Sequence, residues 1–211
     1  MTTHGPQAVK AIFFDLGRVL IDFDHRKAAS KIASSSPFDE KEIYDLFFDS
    51  DLAGLFEEGR IEPADFFLKV KELLRARIGF EEFVLAWNDI FFISETNRQV
   101  FELVKALRGR YRLTLLTNIN VLHFEYIKKH YSLFEPFSEI IASFQEKVRK
   151  PNPLIYQKAL SSSGVTPEEV FYTDDRPELV EGARKLGIRS SVFTGTETLI
   201  RDLQEQGVQL H

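Results

Sequence analysis

The sequence has no cysteine among its 211 residues, so disulfides, thiolate nucleophiles and cysteine-bound metal clusters are excluded. Histidine is also scarce, at five residues, which disfavours a metal site built from several imidazoles. Basic residues are not in excess, because 27 Lys and Arg stand against 32 Asp and Glu. The resulting net charge of −5 argues against a nucleic-acid-binding protein.

Long hydrophobic runs are missing as well. No apolar segment approaches about 18 residues, so no membrane-spanning helix is predicted. Residues 1–10 lack the basic-then-apolar pattern of a signal peptide. We therefore expect a soluble, cytoplasmic protein without a membrane partner, built as one domain with room for a smaller inserted lobe. The oligomeric state is left open.

Short apolar runs and helical patterns alternate along most of the chain. The runs with the composition of buried strands cover 11–14, 111–116, 139–143, 170–173 and 188–193. Apolar residues at helical spacing, or a helix start signal, mark 96–108, 120–131, 153–163, 177–186 and 196–206. This alternation predicts an α/β fold with a Rossmann-like, mostly parallel sheet.

The stretch 19–95 has a different pattern, with amphipathic helical segments and no convincing strand. Eleven of the 20 phenylalanines fall in it. We predict a catalytic core of residues 1–18 and 96–211 and an inserted helical cap of residues 19–95. Most of the phenylalanines are expected to fill the core of the cap. One or two members of a smaller set are expected to face the active-site crevice: Phe47, Phe48, Phe56, Phe91 and Phe92.

Polar side chains stand where the predicted strands end. Asp15, Thr117 and the pair Asp174-Asp175 each close a strand, and Lys150 follows the third strand, directly before a proline. Ligands of open parallel sheets bind at the carboxyl ends of the strands. The sequence therefore predicts that carboxylates, a hydroxyl and an ammonium group converge at one edge of the sheet.

Such a set of groups suits phosphoryl transfer. A carboxylate can act as a nucleophile and form an aspartyl phosphate, which divides one difficult step into two. Because an anion then attacks a dianion, charge must be neutralised, and a Mg²⁺ ion held by carboxylates does this. An ammonium and a hydroxyl group can stabilise the charge that is spread over the phosphoryl oxygens.

Four strings at these positions occur in the order of the four motifs of a known family. They are 14–20 (Phe-Asp-Leu-Gly-Arg-Val-Leu), 116–118 (Leu-Thr-Asn), 150–153 (Lys-Pro-Asn-Pro) and Asp174-Asp175. Through them the whole chain resembles the haloacid dehalogenase-like superfamily, with a helical cap inserted between the first two motifs.

The resemblance implies roles for seven residues. Asp15 would be the nucleophile. The phosphoryl group would be held by Thr117, Asn118 and Lys150. A Mg²⁺ cofactor would be bound by Asp15, Asp174, Asp175 and the backbone carbonyl of Gly17.

The chain departs from the family pattern at Gly17. Most phosphatases of the family carry a second Asp there as general acid and base, a group typically worth ~10²–10⁴ in rate. A substrate with a good leaving group needs it least, and the segment 15–24 is similar to a bacterial subgroup active on glucose 1-phosphate. The expected substrate is therefore a small phosphorylated metabolite, preferably a sugar phosphate.

Two alternative functions follow from the same motifs. A metal-free 2-haloacid dehalogenase would use the same nucleophile, although the Asp174-Asp175 pair argues against it because that chemistry needs no cation. A catalytically weak or inactive relative, serving as a binding or regulatory module, is the alternative that Gly17 raises.

Several polar residues lie outside the four motifs. Asp22, Asp24 and His25 either replace the missing acid, reach the substrate, or cap the first helix or turn at the entrance to the cap. His123 and His130 fall on the helix after the second long strand, and we expect both to be partly exposed.

Overall fold

The computed structural model describes residues 7–48 and 51–210. The strands are β1 (Ala11–Phe14), β2 (Asp22–Phe23), β3 (Phe91–Phe92), β4 (Arg112–Thr117), β5 (Glu139–Ala142), β6 (Val170–Asp174) and β7 (Arg189–Val192). The helices are α1 (His25–Ala33), α2 (Glu40–Phe48), α3 (Asp51–Glu57), α4 (Pro63–Leu73), α5 (Phe80–Asn88), α6 (Glu95–Leu107), α7 (Val121–His130), α8 (Ser143–Glu146), α9 (Pro153–Ser163), α10 (Pro177–Arg184) and α11 (Thr196–Glu205). Among these helices, none is long and apolar enough to cross a bilayer.

Five of the described strands form a parallel sheet in the order β5-β4-β1-β6-β7. The chain builds outward from β1 to β4 and β5, then crosses back to β6 and β7 on the other side. The strand order therefore reverses around β1, and this reversal opens a crevice at the carboxyl ends of the central strands. The predicted α/β fold with a Rossmann-like parallel sheet is confirmed.

Two layers of helices bury the sheet on both faces. Alternate residues of β1 serve opposite sides: Ile12 and Phe14 join one apolar cluster, and Ala11 and Phe13 join the other. Helices α6, α7 and α11 complete the first cluster, and α9 and α10 complete the second. Because both faces are covered, the strand is a continuous apolar run rather than an alternating one.

Helices α1–α5, which lie between β1 and β4 along the chain, surround a separate apolar core. Its centre is aromatic: Phe56 stacks on Phe66 with ring centroids 4.0 Å apart, and Phe66 lies 5.4 Å from the ring of Trp87. Val121 and Leu122, at the start of α7, pack against this cluster and join it to the sheet layer. The boundaries at 1–18 with 96–211 and at 19–95 stay predictions.

The prediction of no strand within 19–95 is wrong at its two ends. Strands β2 and β3 pair antiparallel, with Asp22 opposite Phe92 and Phe23 opposite Phe91. At two residues each, they are too short to show an alternating pattern in the sequence. They join the chain where it enters the helical insertion to the chain where it returns.

Candidate active site

The sheet register brings the ends of three strands together. Phe14 of β1 lies opposite Leu115 of β4 and Thr173 of β6. The next residue, Asp15, donates its backbone N–H to the carbonyl of Thr173 at 3.0 Å. Asp15 therefore lies beside Asp174, the last residue of β6, as the strand-end pattern predicted.

Lys150 places its ammonium group between these carboxylates. Its side chain is fully buried, and Nζ donates to Asp15 Oδ1 at 2.7 Å and to Asp174 Oδ2 at 2.6 Å. The third proton reaches the carbonyl of Leu116 at 2.8 Å. The hydroxyl of Tyr172 lies 3.0 Å from Nζ and itself donates to Asp174 Oδ2. The buried cation is thus paired and hydrogen-bonded, as such a charge requires.

The side chain of Asn118 holds the backbone of Lys150. Its Oδ1 accepts from the Lys150 N–H at 2.8 Å, and its Nδ2 donates to the Lys150 carbonyl at 3.0 Å. Thr117, the neighbouring residue, is 2% exposed and lines the pocket described below. The amide of Asn118 is therefore used to position Lys150. The phosphate contacts expected of Thr117, Asn118 and Lys150 stay predictions.

Asp15, Asp174 and Asp175 form a cluster that could hold a metal ion. Each offers a carboxylate oxygen, and these oxygens lie within 4.8 Å of one another. Asp174 is oriented by the backbone N–H of Arg176, which donates to Oδ1 at 2.9 Å. An all-oxygen set of this size fits Mg²⁺, which binds a few carboxylates and fills its other positions with water and substrate. The carbonyl of Gly17 as a further ligand stays a prediction.

The charges of the cluster are not balanced by protein groups alone. Burial raises the pKa of Asp15 to about 7, with Lys150 opposing this shift and Asp174 adding to it. The pKa of Asp175 is also raised, by burial and then by Asp174. Burial lowers the pKa of Lys150, but Asp15 and Asp174 outweigh it, so the pKa rises and the ammonium stays charged. A divalent cation at this point would stabilise the ionised carboxylates.

A pocket opens beside the cluster, between the sheet edge and the helical insertion. Its lining combines residues of the strand-end loops with residues of the insertion: Leu16, Gly17, Ile21, Phe23, His25, Glu57, Phe91, Thr117, Asn118, Ile119, His123 and Ile127. The walls are mainly apolar and aromatic, which is typical of a ligand site with a few placed polar groups.

The aromatic residues predicted to face the crevice are only partly the right ones. Phe91 lines the pocket, and so does Phe23, which the sequence did not single out. Phe56 is buried inside the helical insertion, and Phe92 is 41% exposed at the surface. The side chains of Phe47 and Phe48 lie outside the described residues.

Gly17 lacks a carboxylate where the family pattern has one, and the space is partly filled. A Cβ atom at this residue would lie 3.0 Å from Cε1 of Phe23 and 3.8 Å from Oδ2 of Asp15. The Phe23 ring therefore occupies the direction that a side chain would take. This ring also lies under the guanidinium group of Arg18, 4.4 Å from its centroid.

The three candidates for a replacement acid take different places. Asp24 is the N-cap of α1 and accepts from the N–H of Arg26 at 3.0 Å. Asp22 pairs with Arg18 at 3.8 Å. His25 lines the pocket, and burial and the nearby Arg18 lower its pKa to about 4 against the opposing effect of Asp24, so it is neutral near pH 7.

His123 contradicts the expectation of partial exposure, since it is 6% exposed and lines the pocket. Its Nδ1 accepts from Nδ2 of Asn120 at 3.0 Å, and its Nε2 donates to the carbonyl of Trp87 at 3.1 Å. Burial, with a smaller effect of His25, lowers its pKa to about 3 against the opposing effect of the Trp87 carbonyl. His130, at the other end of α7, is exposed as expected.

Glu57, the last residue of α3, is a charged pocket residue that the sequence pattern did not indicate. Nothing in its local pattern separates it from Glu58, because a carboxylate at a helix end is usually solvated. Its side chain is 34% exposed, and its carboxylate lies 3.7 Å from the guanidinium of Arg149. Burial raises its pKa, while Arg149 and other cations oppose this shift.

Fold and site together define an α/β enzyme with an acidic, lysine-containing centre at the carboxyl edge of its sheet. The chain belongs to the haloacid dehalogenase-like hydrolase family, whose model matches residues 9–187. This membership confirms the resemblance carried by the four motifs.

Individual relatives are similar over nearly the whole chain. A D-ribitol-5-phosphate phosphatase of Bacteroides thetaiotaomicron is 25% identical over 188 residues, which are 86% of this chain and 90% of that protein. A sesquiterpene phosphatase of Aspergillus oryzae is 25% identical over 201 residues, or 93% and 95% of the two chains. A haloacid dehalogenase family enzyme from B. thetaiotaomicron, solved in complex with magnesium and inorganic phosphate, superposes with a TM-score of 0.77 at 26% identity, covering 88% of this chain and 94% of that one.

Proposed function

We propose that this hydrolase is a Mg²⁺-dependent phosphatase that acts on a small phosphorylated metabolite, preferably a sugar or polyol phosphate. The observation that carries the proposal is the convergence of Asp15, Lys150 and the Asp174-Asp175 pair at one point of the sheet edge. The Mg²⁺-and-phosphate complex of the solved relative and the ribitol-phosphate activity in the name of a B. thetaiotaomicron relative support it.

The residues divide the reaction between them. Asp15 attacks the phosphorus atom and forms an aspartyl phosphate, while the bond from phosphorus to the ester oxygen breaks and the alcohol leaves with a proton taken from water, since Gly17 offers no acid. Water then attacks the acyl phosphate, which releases inorganic phosphate and restores the Asp15 carboxylate. Lys150 neutralises oxygens of the transferring group from its buried position, and Thr117 donates from its hydroxyl. Asp15, Asp174 and Asp175 would hold a Mg²⁺ ion, and the bound ion would supply the charge neutralisation that lets one anion attack another.

Asp15→Asn tests the nucleophile. We expect loss of turnover of p-nitrophenyl phosphate and of a sugar and polyol phosphate panel, because an amide does not attack phosphorus. EDTA should abolish wild-type activity and Mg²⁺ should restore it. Asp45→Asn, on the exposed face of α2, is the matched control and should keep full activity.

Other outcomes would contradict the proposal in different ways. Asp15→Asn with wild-type turnover would rule out Asp15 as nucleophile. Chloride release from 2-chloropropionate in EDTA would indicate a dehalogenase. Binding of Mg²⁺ without turnover of any phosphate would indicate the binding module that Gly17 raises as an alternative.

A further inference from the structure

The pocket beside Gly17 is where the leaving group of a phosphate ester would lie. Gly17 and Thr117 stand at its inner end, next to the Asp15 cluster, and residues of the helical insertion form its outer wall. An ester whose phosphorus atom is attacked by Asp15 must direct its alcohol portion away from the sheet edge, into this space. The inference below rests on the phosphatase activity proposed above.

Most polar side chains of the pocket already have partners within the protein. Both amide atoms of Asn118 bind the backbone of Lys150. Both ring nitrogens of His123 are used, by Asn120 and by the carbonyl of Trp87. Glu57 differs, because its side chain is a third exposed and its described ion pair, with Arg149, is long at 3.7 Å.

The backbone of Glu57 is held against the sheet edge. The Ser143 hydroxyl donates to the Glu57 carbonyl at 2.6 Å and accepts from the N–H of Ile119 at 2.9 Å. Two residues further on, Lys147 Nζ donates to the carbonyl of Gly59 at 2.6 Å. The backbone of Glu57 is thus fixed relative to the loop that carries Thr117, so the carboxylate extends into the pocket from a defined position.

A carboxylate in this setting selects for hydroxyl groups. An ionised carboxylate only accepts hydrogen bonds. A hydrocarbon placed against it would displace its bound water without offering a hydrogen bond in exchange, which is unfavourable. The rings of Phe23 and Phe91 offer apolar faces for the carbon side of the same molecule. An alcohol with several hydroxyl groups along one edge can donate to the carboxylate and pack its carbon atoms against the rings. A terpenyl or plain alkyl chain can only pack against the rings.

We propose that Glu57 is the specificity-determining residue of this pocket and that its carboxylate accepts a hydrogen bond from a hydroxyl group of the leaving alcohol. The enzyme therefore selects polyol or sugar phosphates over phosphates of hydrocarbon alcohols.

Variants at two adjacent carboxylates test this assignment. Glu57→Gln and Glu57→Leu are compared with Glu58→Gln, which removes the same charge at the neighbouring residue. The Glu58 carboxylate pairs with Arg60 at 2.8 Å and, like that of Glu57, lies near Arg149, at 3.6 Å, so the control also accounts for a change at Arg149. The substrates are ribitol 5-phosphate, pentyl phosphate, which has the same carbon count without hydroxyl groups, and p-nitrophenyl phosphate. Urea unfolding checks that each variant is folded.

The expected result is a substrate-dependent loss. Glu57→Leu, which removes the acceptor, lowers kcat/KM for ribitol 5-phosphate by about 10- to 100-fold, mainly through KM, and gains on pentyl phosphate. Glu57→Gln keeps an acceptor oxygen without the charge, so it loses less on the polyol, about 2- to 10-fold, and changes the other two substrates by less than about twofold. Glu58→Gln matches wild type on all three.

Three outcomes would overturn the assignment. Equal losses on all substrates in folded Glu57 variants would indicate a catalytic or structural role instead. An unchanged KM for ribitol 5-phosphate in folded Glu57→Leu would exclude the hydrogen bond. A wild-type preference for pentyl phosphate would leave the phosphatase activity standing and remove the selection by Glu57. Failure of the wild type on every phosphate with Mg²⁺ would instead sink the proposed function.

Discussion

Lys150 is the residue on which the acidic centre depends. Its ammonium, buried and bonded to Asp15 and Asp174, lets two carboxylates share one dry corner of the sheet. Taking a charge out of water costs several kcal/mol, and this cost is offset only while every partner is present. Removing the cation leaves two buried carboxylates facing each other, which is costly as well.

Lys150→Met should therefore damage both activity and stability. We expect at least a 100-fold loss of kcat and a fall of about 3–5 kcal/mol in the free energy of unfolding measured with urea in EDTA. Lys158→Met is the control, since Lys158 forms an exposed ion pair with Glu146 and should change stability by at most about 1 kcal/mol. Equal stability of the two variants would show that the buried ammonium has little structural importance.

At the scale of elements, the end of α3 is docked tightly onto α8 and the loop after it. Gly59 has a φ of +58°, and a Cβ atom there would lie 2.3 Å from the carbonyl oxygen of Phe144. Glycine is required both by the left-handed conformation and by the close approach of the two backbones. This contact, with the Ser143 bond to Glu57, sets the position of the outer pocket wall.

Comparing Gly59→Ala with Gly109→Ala should separate the effect of the close backbone contact from the cost of a positive φ alone. Gly109 also has a positive φ, +84°, but no atom lies within 4 Å of a Cβ placed there. Gly109→Ala should cost about 1–2 kcal/mol of unfolding free energy and leave KM unchanged. Gly59→Ala should cost about 1–3 kcal/mol more, because the backbones must move apart, and should raise KM for the preferred substrate. Equal effects in urea unfolding and kinetics would show that the contact does not position the wall.

At the scale of the whole molecule, His123 joins the helical insertion to the sheet layer. Its ring stacks on Trp87 with centroids 4.9 Å apart and meets the ring of Phe91 edge-on at 5.0 Å. The ring must stay neutral to keep the bond that Nδ1 accepts from Asn120. Protonation therefore weakens the packing between the two parts of the chain.

The stability of the protein should fall in acid for this reason. The pKa of His123 is lowered from 6.5 to about 3 in the folded protein. Below pH 6.5 the unfolded chain thus takes up a proton that the folded chain refuses. The contribution of neutral His123 to the free energy of unfolding is fully present above pH 6.5, the pKa in the unfolded chain. It is lost as the pH falls toward about 3, the pKa in the folded protein, at about 1.4 kcal/mol per pH unit.

Urea unfolding of His123→Gln and His130→Gln between about pH 7 and pH 4.5 measures this contribution. The unfolding free energy of His123→Gln should fall less steeply with decreasing pH than that of the wild type, by about 1.4 kcal/mol per pH unit below pH 6.5. His130→Gln, on the same helix but exposed, should keep the wild-type slope. Identical slopes for all three proteins would show that His123 is protonated equally in the folded and unfolded states. The raised pKa values of Asp15 and Asp175 and the lowered pKa of His25 are common to all three proteins and cancel from the comparison, apart from the smaller effect that His25 and His123 have on each other.

The sheet and the strand-end residues of the site follow from local patterns in the sequence. Strands buried on both faces must be continuous apolar runs, and such runs are visible without a structure. Because the carboxyl ends of parallel strands meet at one edge, the residues after each run also had to meet there. Asp15, Thr117 and Asp174 were therefore predictable, and Lys150 followed from the motif order.

The pocket wall formed by the helical insertion and α7 depends on tertiary packing, which local sequence patterns do not encode. Ser143 reaches Glu57 across 86 residues, and His123 reaches the carbonyl of Trp87 across 36. No local period or cap signal encodes such contacts, since they depend on how the helical insertion is set onto the sheet. The same holds for Phe23, whose ring lies beside Gly17 through the pairing of β2 with β3. Local pattern specifies which elements form and where their ends meet, whereas the packing of one element set against another specifies which side chains line the pocket.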